Sequence, residues 1–65
     1  MQPHQQRVVT EKDELDGKLT KLRAFFDTKI FAGLDEAEKE RLQRQAGHMD
    51  SYSQVLGERI AAFNG

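Results

Sequence analysis

The stretch that decides the fold is Leu42-Gln43-Arg44-Gln45-Ala46-Gly47-His48-Met49-Asp50-Ser51-Tyr52-Ser53-Gln54-Val55-Leu56-Gly57-Glu58-Arg59-Ile60-Ala61-Ala62-Phe63. Within it Leu42, Ala46, Met49, Ser53, Leu56, Ile60 and Phe63 recur at alternating spacings of four and three. At about 100° per residue that alternation draws one narrow stripe along a helix. Just upstream, Asp35-Glu36-Ala37-Glu38 is a helix start. Asp35 can cap the first turn, and Glu38 can reach back to the free amide at the cap. Glu36, Glu38 and Glu40 add negative charge near the positive end of the helix. The spacing therefore predicts a helix from Glu36 to Ala62 or Phe63, ending at Asn64-Gly65. Gly47 and Gly57 lie off the stripe, where each weakens the helix or marks a close approach of another backbone.

Further upstream, Val8, Leu15, Leu19, Leu22 and Phe26 recur at spacings of seven, four, three and four. They predict a second amphipathic helix, over 7–27, with a first turn reaching back to about Gln5. Thr10-x-x-Asp13 is an alternative start signal. Glu14 and Lys18 stand in the favourable order for a helical ion pair. Gly17, on the solvent side, costs about 1 kcal/mol against alanine. Between the helices runs Asp27-Thr28-Lys29-Ile30-Phe31-Ala32-Gly33-Leu34. Asp27 or Thr28 can cap a short turn, and Gly33 is a natural left-handed stop. Ile30, Phe31 and Leu34 are too apolar for a free loop and are expected to plug the open end of a helical hairpin.

The expected architecture is all-α: an antiparallel αα-hairpin in one domain over 1–65. Its parts are a flexible terminus (1–6), a helix (7–27), a connector (28–34) and a second helix (36–63). A chain of 65 residues without cysteine cannot staple itself with disulfides or thiolate-bound zinc. A two-helix hairpin also buries only one seam per helix. The hairpin is therefore expected to complete its core with copies of itself, as a homodimer or higher helical bundle. Phe25, Met49, Val55, Leu56 and Phe63 are the candidate interface residues.

Composition excludes several functions. Ten basic residues against eleven acidic ones give a net charge of −1, so bulk charge does not drive binding to duplex nucleic acid. Lys18, Lys21, Arg23 and Lys29 are balanced by Glu11, Asp13, Glu14, Asp16 and Asp27, which reads as a solvated face. No apolar run approaches the length of a membrane helix or a signal peptide. There is no nucleophile motif and no phosphate-binding loop. His4 and His48 are far apart, and neither has a partner at metal-ligand spacing. No enzyme, cofactor or metal is expected.

One pattern carries chemistry. Arg41, Gln45, His48, Tyr52, Val55 and Arg59 also alternate at four and three, forming a ridge beside the apolar stripe. Guanidinium and imidazole can pair with phosphate, and a tyrosine ring can stack on a base. Arg41, Gln45, His48, Tyr52 and Arg59 are thus candidate ligand-binding residues. The plainer reading is that they flank a helical interface, with arginine stems covering apolar surface.

Two longer patterns carry a resemblance. One is Arg7-Val8-Val9-x-Glu11-Lys12-x-Glu14-Leu15-Asp16-x-Lys18-Leu19-x-Lys21-Leu22-x-Ala24-Phe25. The other is Ile30-Phe31-x-x-Leu34, followed by Glu38-x-x-x-Leu42-x-x-Gln45-x-x-x-Met49-x-x-Tyr52-Ser53-x-Val55-Leu56-x-x-Arg59-Ile60. Together they resemble a family of very short proteins from tailed phages and prophages, named after a member in a crAss-like phage. The likeness runs over residues 7–63. It implies no catalytic residues. It implies a small accessory factor that counters host defence in the cytoplasm of a bacterial host. The favoured mode is sequestration of an anionic, nucleotide-type immune signal between subunits. The alternatives are inhibition of a host protein, in the manner of anti-CRISPR or host-takeover factors, and a structural coiled-coil helper. Asp35, Glu36, Glu38 and Glu40 motivate the inhibitor, since an acidic cluster could mimic nucleic acid. The partners expected are copies of the chain itself, a small anionic nucleotide and, in the alternative, a host protein.

Overall fold

The computed structural model describes residues 2–64. Helix α1 spans Pro3–Phe25, the one-turn helix α2 spans Lys29–Ala32, and α3 spans Glu36–Ala61. A 3-10 turn over Ala62–Asn64 closes the described chain. Lys12 on α1 meets Ser53 on α3, and Arg23 meets Asp50. Positions rise along one helix as they fall along the other, so the two long helices run antiparallel.

The helix ends follow their local chemistry. Helix α1 starts at Pro3, ahead of both expected starts, so residues 3–6 are helical and not a separate terminus. Proline suits a first helical position because its missing N–H would have no partner there. The Gln5 side chain accepts a hydrogen bond from the Gln2 amide at 3.0 Å, satisfying one further free donor. The expected final residue, Gly65, lies outside the described residues.

Thr28 does two jobs in the connector. Its hydroxyl donates to the Phe25 carbonyl at 2.7 Å, closing the end of α1. The same oxygen accepts from the Phe31 amide at 3.2 Å, capping α2. Phe31 is thereby turned inward and buried, its ring 4.9 Å from Phe26 and 5.9 Å from Phe25, centroid to centroid. Leu34 is half-buried beside this plug.

Two expectations for the connector are corrected. Ile30 is 70% exposed and stands outside the plug, because a single helical turn has room for one inward side chain and Phe31 takes it. Gly33 sits at φ −85°, in the right-handed region. No left-handed stop forms, because the Gly33 amide donates right-handed bonds to the Lys29 and Ile30 carbonyls at 3.0 and 3.2 Å.

The seam between α1 and α3 is the core. Val8 and Leu19 from α1 are buried against Ala46, Ser53 and Leu56 from α3. Leu15, Leu22, Phe26, Leu42, Met49, Ile60 and Phe63 are half-buried along the same two stripes. The molecule is a rod of 46 × 14 × 14 Å with a radius of gyration of 14.9 Å. A compact globule of this length would have a radius near 11 Å. Leu56 is the one large side chain in the described chain that is fully shut off from solvent. Among the described residues no helix is long and apolar enough to cross a membrane.

Candidate functional site

The four-three spacing places Arg41, Gln45, His48, Tyr52, Val55 and Arg59 in a line on α3, roughly 100° around the helix from the seam. All six are exposed, with Tyr52 at 45% and Val55 at 51%. The line is about 27 Å long at 1.5 Å per residue. Its members differ in how far they are engaged. The Arg41 Nε donates to Glu38 Oε1 at 2.8 Å. The Gln45 amide makes only a weak 3.9 Å contact to the Met49 sulfur. His48, Tyr52 and Arg59 make no side-chain hydrogen bond or ion pair among the described residues. The ridge thus presents a free imidazole, a free phenol and a free guanidinium on one side of the rod. No cavity is formed among the described residues. A small ligand held by the ridge is therefore not enclosed by one chain.

The five candidate interface residues divide. Val55 is open to solvent, and Phe25, Met49 and Phe63 are half-buried. Leu56 has no exposed surface at all. It is closed into the chain's own seam by the packing of α1, so it is not available to a second copy. The cause is geometric: Leu56 lies at the centre of the stripe that faces α1, whereas Val55 is turned 100° away.

A polar cluster that the apolar spacing does not announce lies at the edge of the seam, with Lys12 and Asp16 half-exposed. The Lys12 ammonium donates to Asp16 Oδ2 at 2.8 Å and to the Ser53 hydroxyl at 3.0 Å. Ser53 in turn donates to the other oxygen of Asp16. Ser53 is buried, and all three groups are satisfied within the cluster. The hydrogen bonds from Lys12 and Ser53 hold the Asp16 carboxyl below its usual range, against a smaller opposing effect of desolvation. Gly57 lies beside the lysine stem, where a Cβ would meet Lys12 Cε at 3.4 Å, an ordinary contact distance. The signal was available. The first stripe skips seven residues from Val8 to Leu15, and Lys12 stands where the four-three alternation needs a member.

The acidic start of α3 is engaged locally. Asp35 accepts from the Glu38 amide at 2.8 Å and caps the helix as expected. Glu36 pairs with Lys39 at 3.3 Å. Glu38 does not reach back to the cap: its carboxylate is taken by Arg41, an equally close neighbour one turn on. From the basic set of the first helix, Arg23 makes a loose 3.7 Å pair with Asp50 across the hairpin.

A family model described as Sequestin matches residues 2–62, so the chain belongs to the Sequestin family. That stretch spans nearly all of the hairpin, including the ridge and the seam cluster. No curated protein matches, and no solved structure matches.

Proposed function

We propose that this member of the Sequestin family is a non-catalytic accessory protein of phage or prophage origin. It counters host defence by binding and withholding an anionic, nucleotide-type signal between copies of itself. The observation that carries the reading is the unengaged set His48, Tyr52 and Arg59, lined up on the outside of a rod with no cavity of its own. Imidazole and guanidinium suit phosphate, and the tyrosine ring suits a base. A family name that points to sequestration supports the same reading. Sequestration needs affinity and abundance and makes no demand for an active site. A short chain that binds by assembling meets that need.

One alternative loses ground. Three of the four acidic residues that would serve a nucleic-acid mimic have local partners, Asp35 in a cap and Glu36 and Glu38 in exposed ion pairs within α3, and only Glu40 has none among the described residues.

The reading is tested by thermal melting with a panel of cyclic and linear nucleotides. A ligand at 100 times its dissociation constant adds about 2.7 kcal/mol to apparent stability. A clear rise with one class of nucleotide is expected, and Arg59→Ala should remove it without changing the mass of the assembly. No rise with any member of the panel overturns the reading. Loss of the assembly in Arg59→Ala would make the ridge a structural flank.

A further inference from the structure

We infer that two copies pair antiparallel along α3 about a two-fold axis lying between Tyr52 and Val55. Each dimer then carries two equivalent anion sites, each built from His48 of one copy and Arg59 of the other. The identity of the ligand rests on the sequestering reading; the pairing rests on geometry alone.

The second copy is indicated by what the rod leaves uncovered. Tyr52 and Val55 are the large hydrophobic side chains of α3 that remain exposed, and they are adjacent on the ridge. An antiparallel pair of identical helices is isologous: if one residue faces another, the reverse holds too. Setting Tyr52 opposite Val55 of the second copy buries both, twice, at the centre. His48 stands four residues before Tyr52, and Arg59 four residues after Val55. The same register therefore sets His48 opposite Arg59 on both sides of the axis. A contact covering a whole side of the rod, 46 by 14 Å, would take up about 640 Å² a copy, near 1,300 Å² for two, at the lower edge of stable interfaces.

This pairing sets the Arg59 guanidinium, which can only donate, beside the His48 imidazole, which can donate from one ring nitrogen. Neither His48 nor Arg59 has an intramolecular partner among the described residues. A phosphate oxygen is the acceptor that both can share, and the Tyr52 phenol lies one turn inward from it. Arg41 falls outside the site, committed to Glu38 at 2.8 Å. The two sites lie about 16 Å apart along the helix, at 1.5 Å per residue.

Cysteine cross-linking tests the register cleanly, because the chain has no cysteine of its own. His48→Cys and Arg59→Cys are oxidised separately and as an equimolar mixture. The expected result is a disulfide dimer in the mixture and little with either variant alone. Equal cross-linking by a single variant, or none in the mixture, overturns the pairing. The sites are tested by complementation, with the nucleotide panel as the probe. His48→Ala and Arg59→Ala should each fail to bind, and their equimolar mixture should recover about a quarter of the wild-type capacity, since half the dimers then hold one intact site. No recovery after verified exchange overturns the shared site. Cross-linking without binding of any nucleotide leaves the pairing and removes the sequestering reading. Binding without cross-linking does the reverse.

Discussion

Gly57 and Lys12 meet across the seam, where a Cβ on the glycine would lie 3.4 Å from Lys12 Cε, an ordinary contact distance. The other two glycines in long helices, Gly17 and Gly47, have nothing within 4 Å of a would-be Cβ. Alanine at either should stabilise the chain by about 1 kcal/mol through helix propensity. That corresponds to a rise of about 4–8 °C in melting temperature for a domain of this size. Gly57→Ala should gain a similar amount, because its Cβ would meet only the flexible Lys12 side chain, at 3.4 Å. A fall in melting temperature for Gly17→Ala or Gly47→Ala would mean that another chain packs against that face. Asp16 gives a pH signature. Its carboxyl is held below the usual range in the folded chain, so the stability it contributes is fully present above the unfolded pKa of about 3.9. That contribution is lost as pH falls through the lowered folded value. The melting difference between wild type and Asp16→Asn should therefore be largest at neutral pH and close in acid. A difference that does not shrink as pH falls below the unfolded pKa would mean that charge on Asp16 is not what holds the cluster.

At the scale of elements, the two stripes were legible because a seam has a period. Leu19, Leu56 and their neighbours could be placed from spacing alone, and the structure buries them where spacing puts them. The Thr28 cap was legible too, from residue type and position. What spacing could not resolve was competition between equal neighbours. Glu38 had two partners within one turn and took Arg41 over the cap. Ile30 and Phe31 were equally apolar, and only one could face inward. Lys12 was passed over because a charged residue in an apolar stripe reads as an interruption until its partner across the seam is known. The ridge was visible as a line, but its division into the engaged Arg41 and the free His48 and Arg59 needed coordinates. Two substitutions test the elements. Leu56→Ala should cost about 2–5 kcal/mol, enough to unfold a chain with so little core. Thr28→Ala should cost about 1 kcal/mol, read from denaturant midpoints, by removing the α2 cap and the closure of α1. A Leu56→Ala protein of wild-type stability would contradict the seam described here.

At the scale of the whole molecule, length and shape act together. A rod 14 Å thick has no interior beyond a single seam, so it can neither shield much apolar surface nor enclose a ligand. Pairing along the ridge would answer both needs at once, covering Tyr52 and Val55 and bringing His48 against Arg59. Binding and assembly are then linked: a ligand that bridges the copies must tighten the dimer, and dilution must weaken retention of the ligand. Native mass spectrometry of the wild-type chain across the nucleotide panel tests this most directly. The account predicts a dimer carrying up to two molecules of one nucleotide class, and a monomer carrying none. A monomer that binds the nucleotide by itself, or a chain that remains monomeric and unliganded throughout, would contradict it.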